Sequence, residues 1–240
     1  MRRSIFIALA LLTILIWTSE IPAASWDFIY EGDKIPDDPA LGNKVWKVFK
    51  TNGIKTSDVS EITPEQELHI TDPADKVCFF MQEVKSAEKA TVEARVKVLS
   101  QSGVGHAVLL AIEEPNVVAW LGLFPDRIEL LKFNARGLSH NVDMTEYHIL
   151  RIAKDGNDVT IYVDDKKVIE GQVGDTQNRT GIIFGAGSVA GTGEHYWDYV
   201  VFTTADALSP KELPSLQSST TTTVSPQGKL TTTWGEIKRR

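Results

Sequence analysis

The chain has a single cysteine, Cys78, among 240 residues. One cysteine closes no internal disulfide, so the fold has to be held by a core of its own. Val77, Phe79, Phe80 and Met81 surround the thiol, which makes it a small core residue rather than a reactive one. Basic clusters interleaved with aromatics are lacking and the formal charge is −7, which argues against a nucleic-acid surface. His69, His106, His140, His148 and His195 show no metal-binding spacing. The chain carries no Gly-x-Ser-x-Gly elbow, no glycine loop opening a helix, and no internal repeat. Convincing helical periodicity is absent throughout.

What is present is alternation. Ala90–Leu99 sets Val92, Ala94, Val96 and Val98 on one face and Glu93, Arg95 and Lys97 on the other. The first group is expected inside and the second outside. Tyr147–Gly171 reads as three short strands joined by turns at Asp155–Asp158 and Asp164–Lys166. Val159, Ile161 and Val163 share the buried face of its middle strand, and Tyr162 points the other way. Further strands are read at Trp26–Tyr30, Lys44–Lys50, Glu67–Thr71, Val77–Gln82, His106–Glu113, Val117–Phe124, Arg127–Phe133, Thr180–Phe184 and His195–Thr203. Short strands with turn signals between them predict an all-β jelly-roll sandwich of two antiparallel sheets.

The ends differ from this body. Arg2-Arg3, the apolar run Ile5–Trp17 and Pro22-Ala23-Ala24 read as a secretory signal peptide over residues 1–24. The run is shorter than the ~20 residues that span a bilayer, so no membrane span is expected after cleavage. The expected location is secreted, cell-surface or periplasmic. From Ala207, Ser, Thr, Pro and Gln dominate, so 207–240 reads as a flexible linker that does not dock on the sandwich. It ends in KLTTTWGEIKRR, either a frayed terminus or a short tag for an unknown partner.

The run YHILRIAKDGNDVTIYVDDKKVIEG resembles the central hairpin of laminin-G-like domains in the concanavalin A-like lectin/glucanase superfamily. Trp26-Asp27-Phe28 resembles their opening strand and Tyr196–Phe202 their closing one, so the likeness covers roughly residues 25–206. Asp165 stands where that family usually has Gly, in a left-handed position that Asp tolerates. The resemblance implies a calcium ion as structural cofactor, tying the opening loop to the closing strand through Asp33 and Asp198; a surface ion pair at Asp198 is the simpler reading.

Glucanases of that superfamily carry Glu-x-Asp-x-x-Glu on one strand. Here Glu93-Ala94-Arg95-Val96-Lys97 puts Arg95 where Asp is wanted, which argues against that enzyme class and leaves no catalytic residue to name. Glu113-Glu114 reads as a solvated turn, Trp120 as core, and Gly185–Gly193 as a mobile loop with some claim to binding. Asn178-Arg179-Thr180 has the form of an N-glycosylation sequon, relevant only in a eukaryote. Glu93, Arg95, Lys97 and Tyr162 are the candidate ligand-binding residues, as polar and aromatic groups suited to sugars. The expected function is a secreted, non-catalytic module for extracellular carbohydrate or glycoprotein. The alternatives are a glycan-cleaving hydrolase on the same fold and a protein-binding adhesin or surface component.

Overall fold

The computed structural model describes residues 24–219, apart from Asn52, Ala74, Gly105, 132–136 and 175–177. The expected signal peptide and the terminal KLTTTWGEIKRR lie outside the described residues. The strands are β1 (Phe28–Tyr30), β2 (Lys47–Lys50), β3 (Ser60–Ile62), β4 (Leu68–Asp72), β5 (Cys78–Glu83), β6 (Lys89–Gly103), β7 (Leu109–Glu114) and β8 (Val117–Phe124). They continue with β9 (Arg127–Leu131), β10 (Ser139–Asn141), β11 (His148–Asp155), β12 (Asp158–Val163), β13 (Lys166–Gln172), β14 (Gly181–Ala186) and β15 (Gly191–Thr203). A single helical turn, α1 (Leu216–Ser219), follows.

These strands make two antiparallel sheets, as the alternation predicts. The first sheet has eight strands in the order β13-β12-β11-β6-β15-β4-β3, with β1 beside β15. The second has seven, ordered β10-β9-β8-β7-β14-β5-β2. Val92, Ala94, Val96 and Val98 are all inside. Between the sheets, Trp46 meets Phe184 edge to face at 4.8 Å and Phe184 meets Trp197 at 4.9 Å. Aromatic contacts of this kind contribute about 0.5–1.5 kcal/mol each beyond their buried area. Phe28 stacks on Phe202 at 4.9 Å, which ties the opening strand to the closing one.

The meander is as the sequence predicts. Asp164 and Asp165 take φ of 48° and 64°, the left-handed pair that a two-residue hairpin turn requires. His148 caps the turn, with Nδ1 2.7 Å from Asp164 Oδ2. The glycine-rich run differs from its expectation. It is the end of β14 and the start of β15 rather than a loop throughout. Gly193 lies where a Cβ would fall 2.6 Å from Val108 Cγ2, so the strand closes there only without a side chain.

The other correction is at the boundary after 206. Residues 206–216 lie on the outer face of the first sheet. Thr91 Oγ1 donates to the Asp206 carbonyl at 2.9 Å and accepts from Leu208 N at 2.7 Å. Arg151 Nη1 donates to the Leu213 carbonyl at 2.7 Å, and Leu216 N donates to Glu93 Oε1 at 3.1 Å. Composition marked this segment as free, but a handful of specific hydrogen bonds to buried charges outweighs its polar character. A chain ending at Ala205 is therefore expected to melt roughly 6–12 °C lower, from the loss of about 3 kcal/mol at an uncovered ion pair. A chain ending at Ser219 should melt as the parent does; differential scanning calorimetry distinguishes the two.

Two inward-facing polar groups sit near Gly193. Asp72 is 2% exposed and neither carboxyl oxygen has a partner. Burial pushes its pKa up to about 7. His195 takes a hydrogen bond from Trp197 Nε1 on Nδ1 at 2.6 Å, and burial, with His69, holds its pKa down to about 3. The raised aspartate makes stability fall as pH rises from about 4 to 7; the lowered histidine makes it rise from about 3 to 6.5. The two slopes oppose, so the parent should be nearly flat between about pH 4 and 6.5. Asp72→Asn should uncover a rise of about 1.4 kcal/mol per pH unit in urea unfolding, and exceed the parent at pH 8.

Candidate functional site

Three rows of side chains cross the outer face of the second sheet. Strand pairing aligns Phe49, Phe79, Gly185, Leu109, Gly122 and Glu129 in one row. The next holds Lys47, Met81, Ile183, Ala111, Trp120 and Leu131. A third holds Glu83, Gly181, Glu113 and Val118. Small residues (Gly185, Gly122, Ala111 and Gly181) alternate here with Leu109 and Ile183 between Phe79 and Trp120, and all of them are buried. Gly185 has φ +116°, a conformation closed to other residues without strain. Phe79, Met81, Leu109, Ala111, Val118, Trp120 and Ile183 form one apolar cluster, separate from the core between the sheets.

The rings pack in pairs. Phe49 and Phe79 stack at 4.9 Å with planes 8° apart. Trp120 lies 5.4 Å from His106, whose pKa burial lowers. The polar groups stand at the ends. Glu113, fully buried, accepts Trp120 Nε1 at 2.9 Å and a two-pronged pair from Arg179, Nε at 2.7 Å and Nη2 at 2.9 Å. The Arg179 guanidinium lies 5.4 Å from the Phe79 ring centre and 5.6 Å from that of Phe49. At the far side Arg127 covers Phe124 at 3.8 Å and pairs with Glu129 at 3.6 Å. Of the phenylalanine and tryptophan rings here only Phe49 is half-buried rather than buried. With Arg179 beside it, that edge joins an apolar ring to a fixed donor, the pairing that suits a sugar ring and its hydroxyls. Glu113, read as a solvated turn, is instead fully buried on this face, whereas Trp120, read as core, is buried in the apolar cluster there.

The residues singled out from the sequence lie on the opposite side of the molecule. Glu93, Arg95, Lys97 and Tyr162 do share the outer face of the first sheet, but Glu93 is not at the surface. Its carboxylate is fully buried under residues 213–216. The alternation gave the face and could not give the cover. Arg95 binds Asp198 at 2.8 Å and lies 4.1 Å over the Tyr147 ring. Lys97 sits between Tyr147 and Tyr196, 4.7 and 4.4 Å from their centres. His69 stacks on Tyr196 at 4.2 Å. The rings on this face are thus already covered by cations and by one another. Tyr162 is half-buried beside Arg151 in the adjacent strand.

The expected calcium ligands meet in part. Gly32 of the opening loop approaches the closing strand so closely that a Cβ would fall 2.5 Å from the Asp198 carbonyl oxygen. The Asp198 carboxylate, however, turns to Arg95, and that of Asp33 to Lys34 at 3.2 Å. Among the described residues no group of three acidic, His or Cys side chains converges to hold a metal. The two side chains do not fit the ion.

No family model matches the chain, and no curated protein matches it. Solved structures do. A native glycosidic hydrolase aligns over 78% of this chain and 99% of its own, at 14% identity and TM-score 0.51. One of the endo-acting O-glycanases by which human gut microbiota initiate mucin breakdown aligns over 76% and 100%, at 13% identity and TM-score 0.50. The binding domain of botulinum neurotoxin DC in complex with SialylT aligns over 72% of this chain, at 12% identity and TM-score 0.48. The chain spans only 46% of that toxin chain. At these identities the likeness is one of fold. What they share with this chain is the jelly-roll sandwich of two antiparallel sheets. Among the described residues no helix is long and apolar enough to cross a membrane.

Arg179→Ala leaves the Glu113 carboxylate buried without its cation. The expected cost is roughly 2–4 kcal/mol in urea unfolding. The double variant Glu113→Gln/Arg179→Met should recover most of that loss, because no charge is then left unpaired.

Proposed function

We propose that the protein is a non-catalytic, laminin-G-like module that binds extracellular carbohydrate on the outer face of the second sheet. One observation carries the reading. On the outer face of this sheet a second apolar cluster runs from Phe79 to Trp120, its members at most 9% exposed, and the half-buried Phe49, stacked on Phe79 beside Arg179, forms its accessible edge, where the ligand would bind. These residues form an apolar cluster distinct from the one between the sheets. Both the glycosidic hydrolases and the toxin domain among the fold neighbours have names that concern glycans, which agrees with the reading.

Binding is favoured over hydrolysis by the state of the carboxylates. A glycosidase needs one carboxyl to give a proton and another to attack or to activate water. On this face Glu113 is tied to Arg179 and Trp120, Glu83 to Lys47, and Glu129 to Arg127. Export from the cell, suggested by the N-terminal run, would bring the site to such ligands.

Calorimetric titration with soluble β-glucans and mucin-type oligosaccharides tests this. Phe49→Ala, at the half-buried end of the stack, should weaken binding about tenfold, the scale of one lost aromatic face. Lys97→Ala, on the other sheet, should leave it unchanged. Equal loss from both variants would place the ligand elsewhere. Release of reducing ends by the parent protein would make it a hydrolase.

A further inference from the structure

β2 ends the order of the second sheet, and its surroundings are basic. Residues 39–57 hold Lys44, Lys47, Lys50 and Lys55 and no acidic residue, in a chain whose formal charge is −7. All four lysines are exposed. Among the described residues Lys44, Lys50 and Lys55 form no ion pair, while Lys47 meets Glu83 at 2.7 Å, the two side chains 55% and 61% exposed. An exposed pair of this kind is weak and exchanges readily. Phe49 stands half-buried between two cations. Lys47 Nζ lies 5.2 Å from its ring centre and the Arg179 guanidinium 5.6 Å. The guanidinium is nearly as far from Phe79, at 5.4 Å, so it runs along the shared edge of the two stacked rings and does not cover the outer face of Phe49. Glu113 holds Arg179 Nε and Nη2, which fixes the plane of the group and leaves Nη1 without a partner among the described residues.

We propose that the ligand of this edge is an acidic polysaccharide, with a sugar ring on Phe49 and its carboxylate or sulfate shared by Lys47 Nζ and Arg179 Nη1. The inference rests on the carbohydrate site proposed above and narrows its ligand. Three features favour an anion over a neutral sugar. Arg179 is already oriented by Glu113, so little entropy is lost when its remaining donors engage. Lys47 can leave Glu83 for the ligand without stranding a buried charge, because Glu83 stays in water. Lys44 and Lys50, on either side of Lys47 in the chain, make this margin locally positive in an acidic molecule, which draws anions toward it. Lysines on an edge strand also deter pairing with other chains. That role needs neither an aromatic ring nor a fixed guanidinium between them.

The test is calorimetric titration of the full-length protein with size-matched oligosaccharides of galacturonate, of sulfated galactose and of neutral galactose. At least one acidic ligand should bind about tenfold tighter than the neutral one at low salt, the scale of a charged hydrogen bond. The gap should narrow to about threefold or less near 1 M salt, where charges are screened over about 3 Å. The acid that binds tighter identifies the group held between the two cations. Lys47→Ala should weaken the acidic ligand about fivefold, the scale of one exposed ion pair. Lys97→Ala, an equal change of charge on the other sheet, should leave it unchanged. Neutral and acidic ligands bound alike at both salts would overturn this inference and leave the sugar site standing. Equal losses from Lys47→Ala and Lys97→Ala would reduce the preference to overall charge and overturn it as well. If none of the three sugars binds, the site itself falls, and this inference with it.

Discussion

The pairing of Glu93 with Arg151 on the outside of a sheet sets the terms for much of this molecule. A charge pair stripped of water is costly to leave half-satisfied, and here five groups converge on it: Tyr199, Trp26, and the three polar groups of 213–216. Residues from the start, middle and end of the chain are thereby fixed to one another. The closing strand β15 runs beside β6 along nearly its whole length and brings Tyr199 to the pair. The consequence for function is one of sides. The outer face of the first sheet is closed at this pair and capped by cation–ring contacts beyond it, whereas that of the second sheet carries a separate buried apolar cluster with the half-buried Phe49 and Arg179 at its edge.

The second sheet gets its character from small residues. Gly185, Gly122 and Gly181 contribute nothing to burial, and in a strand each costs conformational entropy. Gly185 and Gly122 share one row and Gly181 lies two rows away, and Leu109, Ala111 and Ile183 close-pack between Phe79 and Trp120. Arg179 then joins the two ends of that face, since one guanidinium serves the Glu113 carboxylate and lies over two rings at once. Polar anchoring at the margin with an apolar floor is the combination that orients a polyhydroxylated ligand without paying to bury many of its hydroxyls.

Much of the fold was legible in the sequence, and the candidate site was not. Alternation in Val92–Val98 fixed both the strand and its inward face, because period two is a local property. Asp164-Asp165 was legible as a turn for the same reason. Glu93 was misplaced because its partner, Arg151, lies on another strand and its cover comes from a polar segment after the last strand; neither leaves a local trace. Val117–Phe124 carried a signal of a different kind. Its apolar residues occupy both faces, which in a sandwich means that the outward face is either covered or used. Val118 and Trp120 are that outward set. The glycines of 185–193 misled because breakers in sequence became close approaches in space, visible only once Ala107 and Val108 were placed beside them.

The central claim is that ligand and latch occupy opposite faces of one sandwich. Hydrogen exchange of the intact protein, with and without a saturating oligosaccharide, tests it most directly. Slower exchange should be confined to β2, β5, β7, β8 and β14, with residues 206–217 and β6 unchanged. Protection centred on β6, β15 and the Tyr147–Lys97–Tyr196 cluster would contradict the account.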